Sequence, residues 1–120
     1  ELTYGLKTLG ILHGSLDTLI AEKAYQPWFP HSIGHSLGID VHDPIPEENR
    51  LDFILEPGMV ITVEPGLYFS KRTKNIPSCG IRIEDDVAVT KNGHDILSVD
   101  VFPKNLQEIE FIKEQCFEER

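Results

Sequence analysis

The sequence lacks any apolar run near the roughly 20 residues of a membrane span, which excludes a membrane-spanning helix among its 120 residues. It is poor in cysteine. Cys79 and Cys116 are its 2 thiols; they form no CxxC pair, and this density excludes a disulfide-stapled secreted scaffold. Reduced thiols in a cytoplasmic protein are the expectation. Basic residues are scarce, 11 against 20 acidic, for a formal net charge of -9. That balance argues against nucleic acid or an anionic membrane surface as the main partner. It suits a site built from carboxylates and leaves cations open as ligands. There is no internal repeat, no low-complexity tract, no signal peptide and no initiating methionine. The start at Glu1 leads us to expect a fragment. What is present is ordinary for a globular chain: 40% hydrophobic and 26% charged residues, enough for one modest domain with one core.

Along the chain, Leu2, Leu6 and Leu9 recur at helical spacing, and Gly10 and Gly14 punctuate the end of a helix reaching Leu12. Ser15 is a good N-cap for a second helix through Leu16, Leu19, Ile20 and Lys23, with Asp17 in its first turn as the macrodipole favours. Pro27 and Pro30 are expected to stop it. A loop then enters a short extended segment in which Leu37, Ile39 and Val41 alternate. Asp43-Pro44 and Pro46 open a polar surface loop from Ile45 to Asn49. Glu56-Pro57-Gly58 reads as a turn and Met59 to Val63 as a strand with Glu64 at its end. Leu67 to Phe69 are extended, and Ser70 to Pro77 is a hairpin loop. From Gly80 the alternation resumes: Ile81, Ile83, Val87 and Val89 take one face, interrupted by Asp85, and Arg82, Glu84 and Asp86 the other. Asn92-Gly93 signals a type I′ hairpin, followed by a strand from Ile96 to Phe102. Leu106, Ile109, Ile112 and Lys113 describe a closing amphipathic helix, solvated along Glu108, Glu114 and Glu118. The pattern predicts an α+β fold with an antiparallel sheet and flanking helices.

The chemistry concentrates in His31-Ser-Ile-Gly-His35-Ser-Leu-Gly-Ile-Asp-Val-His42-Asp43, where three histidines fall within twelve positions. Imidazole is the commonest metal ligand and the side chain that titrates nearest neutral pH. His31 and His35 are four apart, but a zincin helix needs glutamate after the first histidine, and Ser32 stands there. Glu64 and Glu84, each in a β-like apolar run, supply hard oxygen donors to set beside one of the histidines. Mixed carboxylate and imidazole sites suit Mn²⁺, Fe²⁺, Co²⁺ or Zn²⁺. Two-metal hydrolytic sites, with ions about 3.5–4 Å apart, share a water that becomes the nucleophile. Taken singly, each residue has a plainer account. A lone histidine is usually structural, Glu64 could be a surface carboxylate, and Arg82, Glu84 and Asp86 could form a solvated ion network of small weight. Trp28, Phe29, Tyr68 and Phe69 read as core. The conjunction favours a metal site.

These three segments, with Glu56-Pro-Gly-Met-Val-Ile-Thr-Val-Glu64-Pro-Gly-Leu-Tyr68 and Gly80-Ile-Arg82-Ile-Glu84-Asp-Asp86 in register after the histidines, closely resemble the Xaa-Pro aminopeptidases (aminopeptidase P). Prolidase and, more distantly, methionine aminopeptidase are relatives with the same pita-bread fold. The resemblance implies that His35, Glu64 and Glu84 are metal ligands, with Glu64 also the general base and Glu84 bridging two divalent ions, usually Mn²⁺. It implies that His31 and His42 contact the substrate and stabilise the tetrahedral intermediate, and that Arg82 lies near the prolyl side of a peptide with proline at its second position. Two aspartate ligands of the family have no counterpart here. The chain therefore resembles the C-terminal half of the catalytic domain, residues 1–120 forming one C-terminal portion. Such a piece is expected to be inactive alone and to self-associate or pack against the missing N-terminal half. Two other functions compete: a prolidase acting on dipeptides, and a non-catalytic peptide-binding module on the same fold.

Overall fold

The computed structural model describes residues 1–44, 53–99 and 101–118. Three helices and six strands follow one another as α1 (Leu2–Thr8), α2 (Leu16–Ala21), β1 (Ser36–Leu37), β2 (Val60–Val63), β3 (Gly66–Phe69), β4 (Cys79–Arg82), β5 (Asp85–Thr90), β6 (Gly93–Ile96) and α3 (Leu106–Glu118). The chain divides into two compact units: Glu1–Gly34 with Glu64–Glu84, and His35–Val63 with Asp85–Arg120. The expected surface loop from Ile45 to Asn49 lies outside the described residues.

The first unit holds the core. Leu6, Leu12, Leu19 and Phe69 form a buried cluster, against which Ile11, Tyr25, Trp28 and Leu67 pack. Two short helices are held in place by their ends. After α1 the Ile11 N–H bonds to the Leu6 carbonyl and the Gly10 N–H to the Lys7 carbonyl, both at 2.9 Å, with Gly10 at φ 67°. This is a Schellman termination, which turns the chain sharply and brings Ile11 back onto the helix. It ends the helix at Thr8, earlier than the leucine spacing implies. Ser15 caps α2 as expected, its hydroxyl accepting from the Thr18 N–H at 3.2 Å. The same termination recurs after Ala21, where the Ala24 N–H bonds to Leu19 at 2.9 Å and the Lys23 N–H to Ile20 at 3.0 Å. Here the left-handed position is Lys23, at φ 51°. So α2 is not stopped by Pro27 or Pro30, and Lys23 is not in it; capping decides the end before the prolines are reached. β3 and β4 make an antiparallel hairpin that pairs Gly66 with Arg82 and Tyr68 with Gly80. Its connecting loop is narrowed by a Thr73–Ile76 bridge, in agreement with the hairpin loop expected from Ser70 to Pro77.

The second unit is a four-stranded antiparallel sheet ordered β1-β2-β5-β6, followed by α3. β2 coincides with the expected strand but for Met59, whose N–H bonds back to Glu56 at 3.1 Å in the Glu-Pro-Gly turn. Four expectations are corrected. The alternation of Leu37, Ile39 and Val41 is not a strand beyond Leu37. The Asp43 N–H bonds to the Ser36 carbonyl at 3.3 Å, closing a turn that leaves Ile39 fully exposed. The alternation from Gly80 to Val89 is two strands in two sheets. β2 ends at Val63 opposite Asp85 and β3 starts at Gly66 opposite Arg82. Between them stands Pro65, which has no N–H to give a ladder, so regular pairing lapses there and a single bond remains, from the Ile83 N–H to the Pro65 carbonyl at 3.3 Å. The last strand is Gly93–Ile96 rather than Ile96 to Phe102. Thr90 pairs with Gly93, so the two loop residues are Lys91 and Asn92 and not Asn92-Gly93. Neither has the positive φ of the expected type I′ turn, and pairing starts at once. Beyond Ile96 the Leu97 N–H still bonds to the Asp86 carbonyl at 2.8 Å, but the return bond goes to a side chain: the Asp86 N–H donates to the Ser98 hydroxyl at 3.1 Å, and that hydroxyl donates to Asp85 at 2.7 Å.

α3 forms where its periodicity predicts, capped by the Asn105 side chain accepting from the Gln107 N–H at 2.8 Å. Its Leu106, Ile109 and Ile112 are exposed, as are Glu108 and Glu114. Cys79 and Cys116 are both free and exposed. Among the described residues no helix is long and apolar enough to cross a membrane.

Candidate active site

In the first unit the structure gathers four side chains. Glu64 leaves the end of β2 with its N–H bonded to the Ile33 carbonyl at 2.7 Å, which ties the strand end to the histidine segment. Its carboxylate is buried, 7% exposed, and accepts a bond from Arg82 at 2.8 Å. A buried carboxylate needs such a partner to stay ionised at tolerable cost. The bond to Glu64, and next the nearby Tyr68, push the Arg82 guanidinium further above its already high range, so it is a permanent cation. Arg82 thus pairs directly with Glu64, with Glu84 adding a weaker attraction. Glu84 follows the last residues of β4 and is exposed.

His31 lies near the same hairpin. Its Nδ1 is 2.7 Å from the Ser32 carbonyl oxygen and its Nε2 2.9 Å from the Tyr68 hydroxyl. A carbonyl can only accept, so Nδ1 carries the hydrogen. In the neutral ring Nε2 then accepts, and the Tyr68 hydroxyl donates. Phe29 meets the imidazole edge-on at a centroid distance of 4.7 Å and, buried itself, supports it from the core side.

His35 and His42 belong to the second unit. His35 enters at β1, its backbone N–H donating to the Thr62 hydroxyl at 3.0 Å while its carbonyl accepts from the Thr62 N–H at 2.9 Å. Its Nδ1 stands 3.0 Å from the Ser36 carbonyl oxygen. By the same reasoning Nδ1 carries the hydrogen and Nε2 the lone pair. This is the tautomer in which a metal-binding imidazole is ordinarily held, its other nitrogen fixed by a carbonyl. His42 stacks on His35 with ring centroids 4.1 Å apart and planes at 29°.

The structure therefore brings His31, Glu64 and Arg82 together with Tyr68, and His35 together with His42. Among the described residues no group of three or more His, Cys, Asp or Glu is assembled to hold a metal ion. The donors present, one imidazole and two carboxylates, match in type what a divalent ion accepts, but as a set they do not make up a complete site. Sequence reasoning missed two participants. Tyr68 reads as core and instead holds His31. Thr62 reads as part of a β-run and is buried beside His35. A signal for both was available: Thr62 is a polar residue between isoleucine and valine in a strand, and Tyr68 shares a face of β3 with Gly66.

The pattern that defines Metallopeptidase family M24 matches residues 6–91. The chain belongs to that family. It is 47% identical over 104 residues to the Xaa-Pro aminopeptidase of Escherichia coli, which covers 83% of this chain and 23% of the relative. It is 46% identical over 115 residues to human Xaa-Pro aminopeptidase 3, covering 92% of this chain and 22% of the relative. Among solved structures, Escherichia coli aminopeptidase P with the inhibitor Pro-Leu superposes with a TM-score of 0.79 at 46% identity, over 91% of this chain and 25% of that one. The zinc-substituted enzyme in complex with product matches with a TM-score of 0.80. These matches bear out the α+β, pita-bread class of fold. The chain spans about a quarter of the length of these relatives. Membership in a metallopeptidase family implies dependence on divalent metal ions.

Proposed function

We propose that the whole protein is an Xaa-Pro aminopeptidase, hydrolysing the bond between an N-terminal residue and a following proline, and that these 120 residues are the C-terminal portion of its catalytic domain. In this reading His35, Glu64 and Glu84 contribute metal-binding donors, and the remaining donors come from residues outside this chain. In this reading of a cytoplasmic enzyme these donors would help to hold two Mn²⁺ ions, which when bound would supply Lewis-acid polarisation of the scissile carbonyl and activation of water at neutral pH. The observation that carries the reading is the His35 imidazole, turned by the Ser36 carbonyl into a metal-binding tautomer, in a chain of this family.

The chain's own residues have distinct parts in this scheme. Glu64, oriented by Arg82, accepts the proton of the attacking water as general base. His31 and His42 contact the substrate in this reading. With its Nδ1 hydrogen given to the Ser32 carbonyl and its Nε2 accepting from Tyr68, the neutral His31 has no donor left for the oxyanion that develops on the carbonyl, so that part falls to His42. Arg82 lies on the prolyl side of the substrate. The exposed apolar residues of α3 and of β4 support packing against the rest of the protein. The test is release of the free N-terminal amino acid from an Xaa-Pro peptide by the purified whole protein with Mn²⁺. The whole protein is expected to cleave Xaa-Pro and not Xaa-Ala peptides, and Glu64→Gln to lower kcat at least about a hundredfold. The 120-residue chain alone is expected to be inactive, and turnover by it overturns the assignment of the missing donors.

A further inference from the structure

Tyr68 reaches His31 because its ring lies in a slot from which two side chains are missing. Gly66 is two residues before Tyr68 on the same face of β3. Gly80 is the residue opposite Tyr68 on β4. A Cβ placed on Gly66 would stand 2.6 Å from the Tyr68 hydroxyl oxygen and 2.9 Å from the ring. A Cβ on Gly80 would stand 2.9 Å from the other edge of the ring. Neither glycine has a positive φ, so the backbone conformation does not ask for glycine at either place. What asks for it is the ring: distances below 3.0 Å between carbon atoms cannot be kept. Glycine is also a poor strand residue. Two of them facing one tyrosine in a hairpin of four-residue strands weaken the ladder, with no gain in turn geometry to compensate.

We propose that Gly66 and Gly80 are positioning residues: together they seat the Tyr68 ring so that its hydroxyl fixes the His31 imidazole in the orientation in which it meets the substrate. The proposal rests on the reading above that His31 works on the substrate. Three constraints then converge on His31. The Ser32 carbonyl sets which nitrogen carries the hydrogen, the Phe29 ring sets the tilt, and the Tyr68 hydroxyl holds Nε2 at 2.9 Å. With a methyl group in either glycine position the ring must swing away, and the hydroxyl leaves Nε2 although every catalytic side chain is still present.

The experiment pairs crystal structures of the whole protein with its kinetics on an Xaa-Pro peptide. In Gly80→Ala the separation of the Tyr68 hydroxyl and His31 Nε2 is expected to exceed 3.5 Å, beyond hydrogen-bond range. The value of kcat/KM is expected to fall about tenfold, the scale of one lost hydrogen bond, mostly in kcat. Tyr68→Phe, which keeps the ring in its slot, is expected to lose the same factor, and this variant decides the matter should Gly80→Ala fail to fold. In a His31→Ala background Gly80→Ala is expected to add nothing, as a double-mutant cycle requires of residues acting through one group. A Tyr68–His31 distance kept near that of the parent in Gly80→Ala, or a full additional loss in the His31→Ala background, overturns the proposal. Absence of Xaa-Pro hydrolysis in the parent protein sinks the functional reading instead, while the distance in Gly80→Ala still decides the slot.

Discussion

The two units are stabilised in different ways. The first has a buried apolar core: Leu6, Leu12, Leu19, Phe29 and Phe69 are all buried and all lie in it. In the second, among the described residues, no apolar side chain reaches that degree of burial, and the buried residue is Thr62. It is held by sheet hydrogen bonds and by the cluster of Asp85, Ser98 and Lys104. Hydrophobic burial is the dominant favourable term in folding, whereas the net value of each hydrogen bond is about 1 kcal/mol. The difference teaches that the first unit can absorb changes at its surface and not in its core. The second depends on polar anchors and on whatever covers its apolar side chains.

The largest expected effect separates the units directly. Leu6 is fully buried, so Leu6→Ala is expected to cost about 2–5 kcal/mol, while Phe111→Ala on the exposed face of α3 stays within about 0.5 kcal/mol. Urea titrations followed by Trp28 fluorescence compare the two; equal costs would erase the distinction. A smaller effect of opposite sign is expected at Lys23. A non-glycine residue in the left-handed region costs about 1 kcal/mol, so Lys23→Gly is expected to raise stability by about that amount, seen as a higher urea midpoint at unchanged slope.

The smallest effect belongs to the second unit and depends on pH. The bond from Lys104, then that from Ser98, hold the Asp85 carboxyl below the ordinary carboxylate range against the opposing effect of desolvation. The folded pKa is therefore lower than the unfolded one. The stabilisation is complete above the ordinary carboxylate pKa and is lost as pH falls through the lowered folded value. Thermal melts between about pH 5 and 2 should show this loss in the parent chain and a flatter profile in Asp85→Asn. Coincident profiles would show that the polar anchor contributes nothing.

Much of the candidate site was legible in the order of residues. The histidine cluster, the two glutamates just past the ends of strands and the arginine two before Glu84 could be picked out because such residue types at such spacings are unusual. The capped second helix and the strand at 60–63 were also legible, since Ser15 and a run of β-branched residues act locally; the Asn-Gly pair marked where a hairpin turns but not its turn type or its loop residues. The strand boundaries after Leu37, Arg82 and Ile96 were not. Each is decided by a bond to a residue distant along the chain or by the lapse of a partner strand, and periodicity contains no information on either.

By itself the sequence determined which residue types are available, where helices may start, which runs can be strands and to which family the chain belongs, because these rest on local propensity and on order along the chain. It took the folded chain to decide that Arg82 serves Glu64 and that Tyr68 is a support for His31 rather than core. Those outcomes turn on hydrogen bonds of about 3 Å between groups that can lie dozens of residues apart, and such closeness comes into being only when the chain folds.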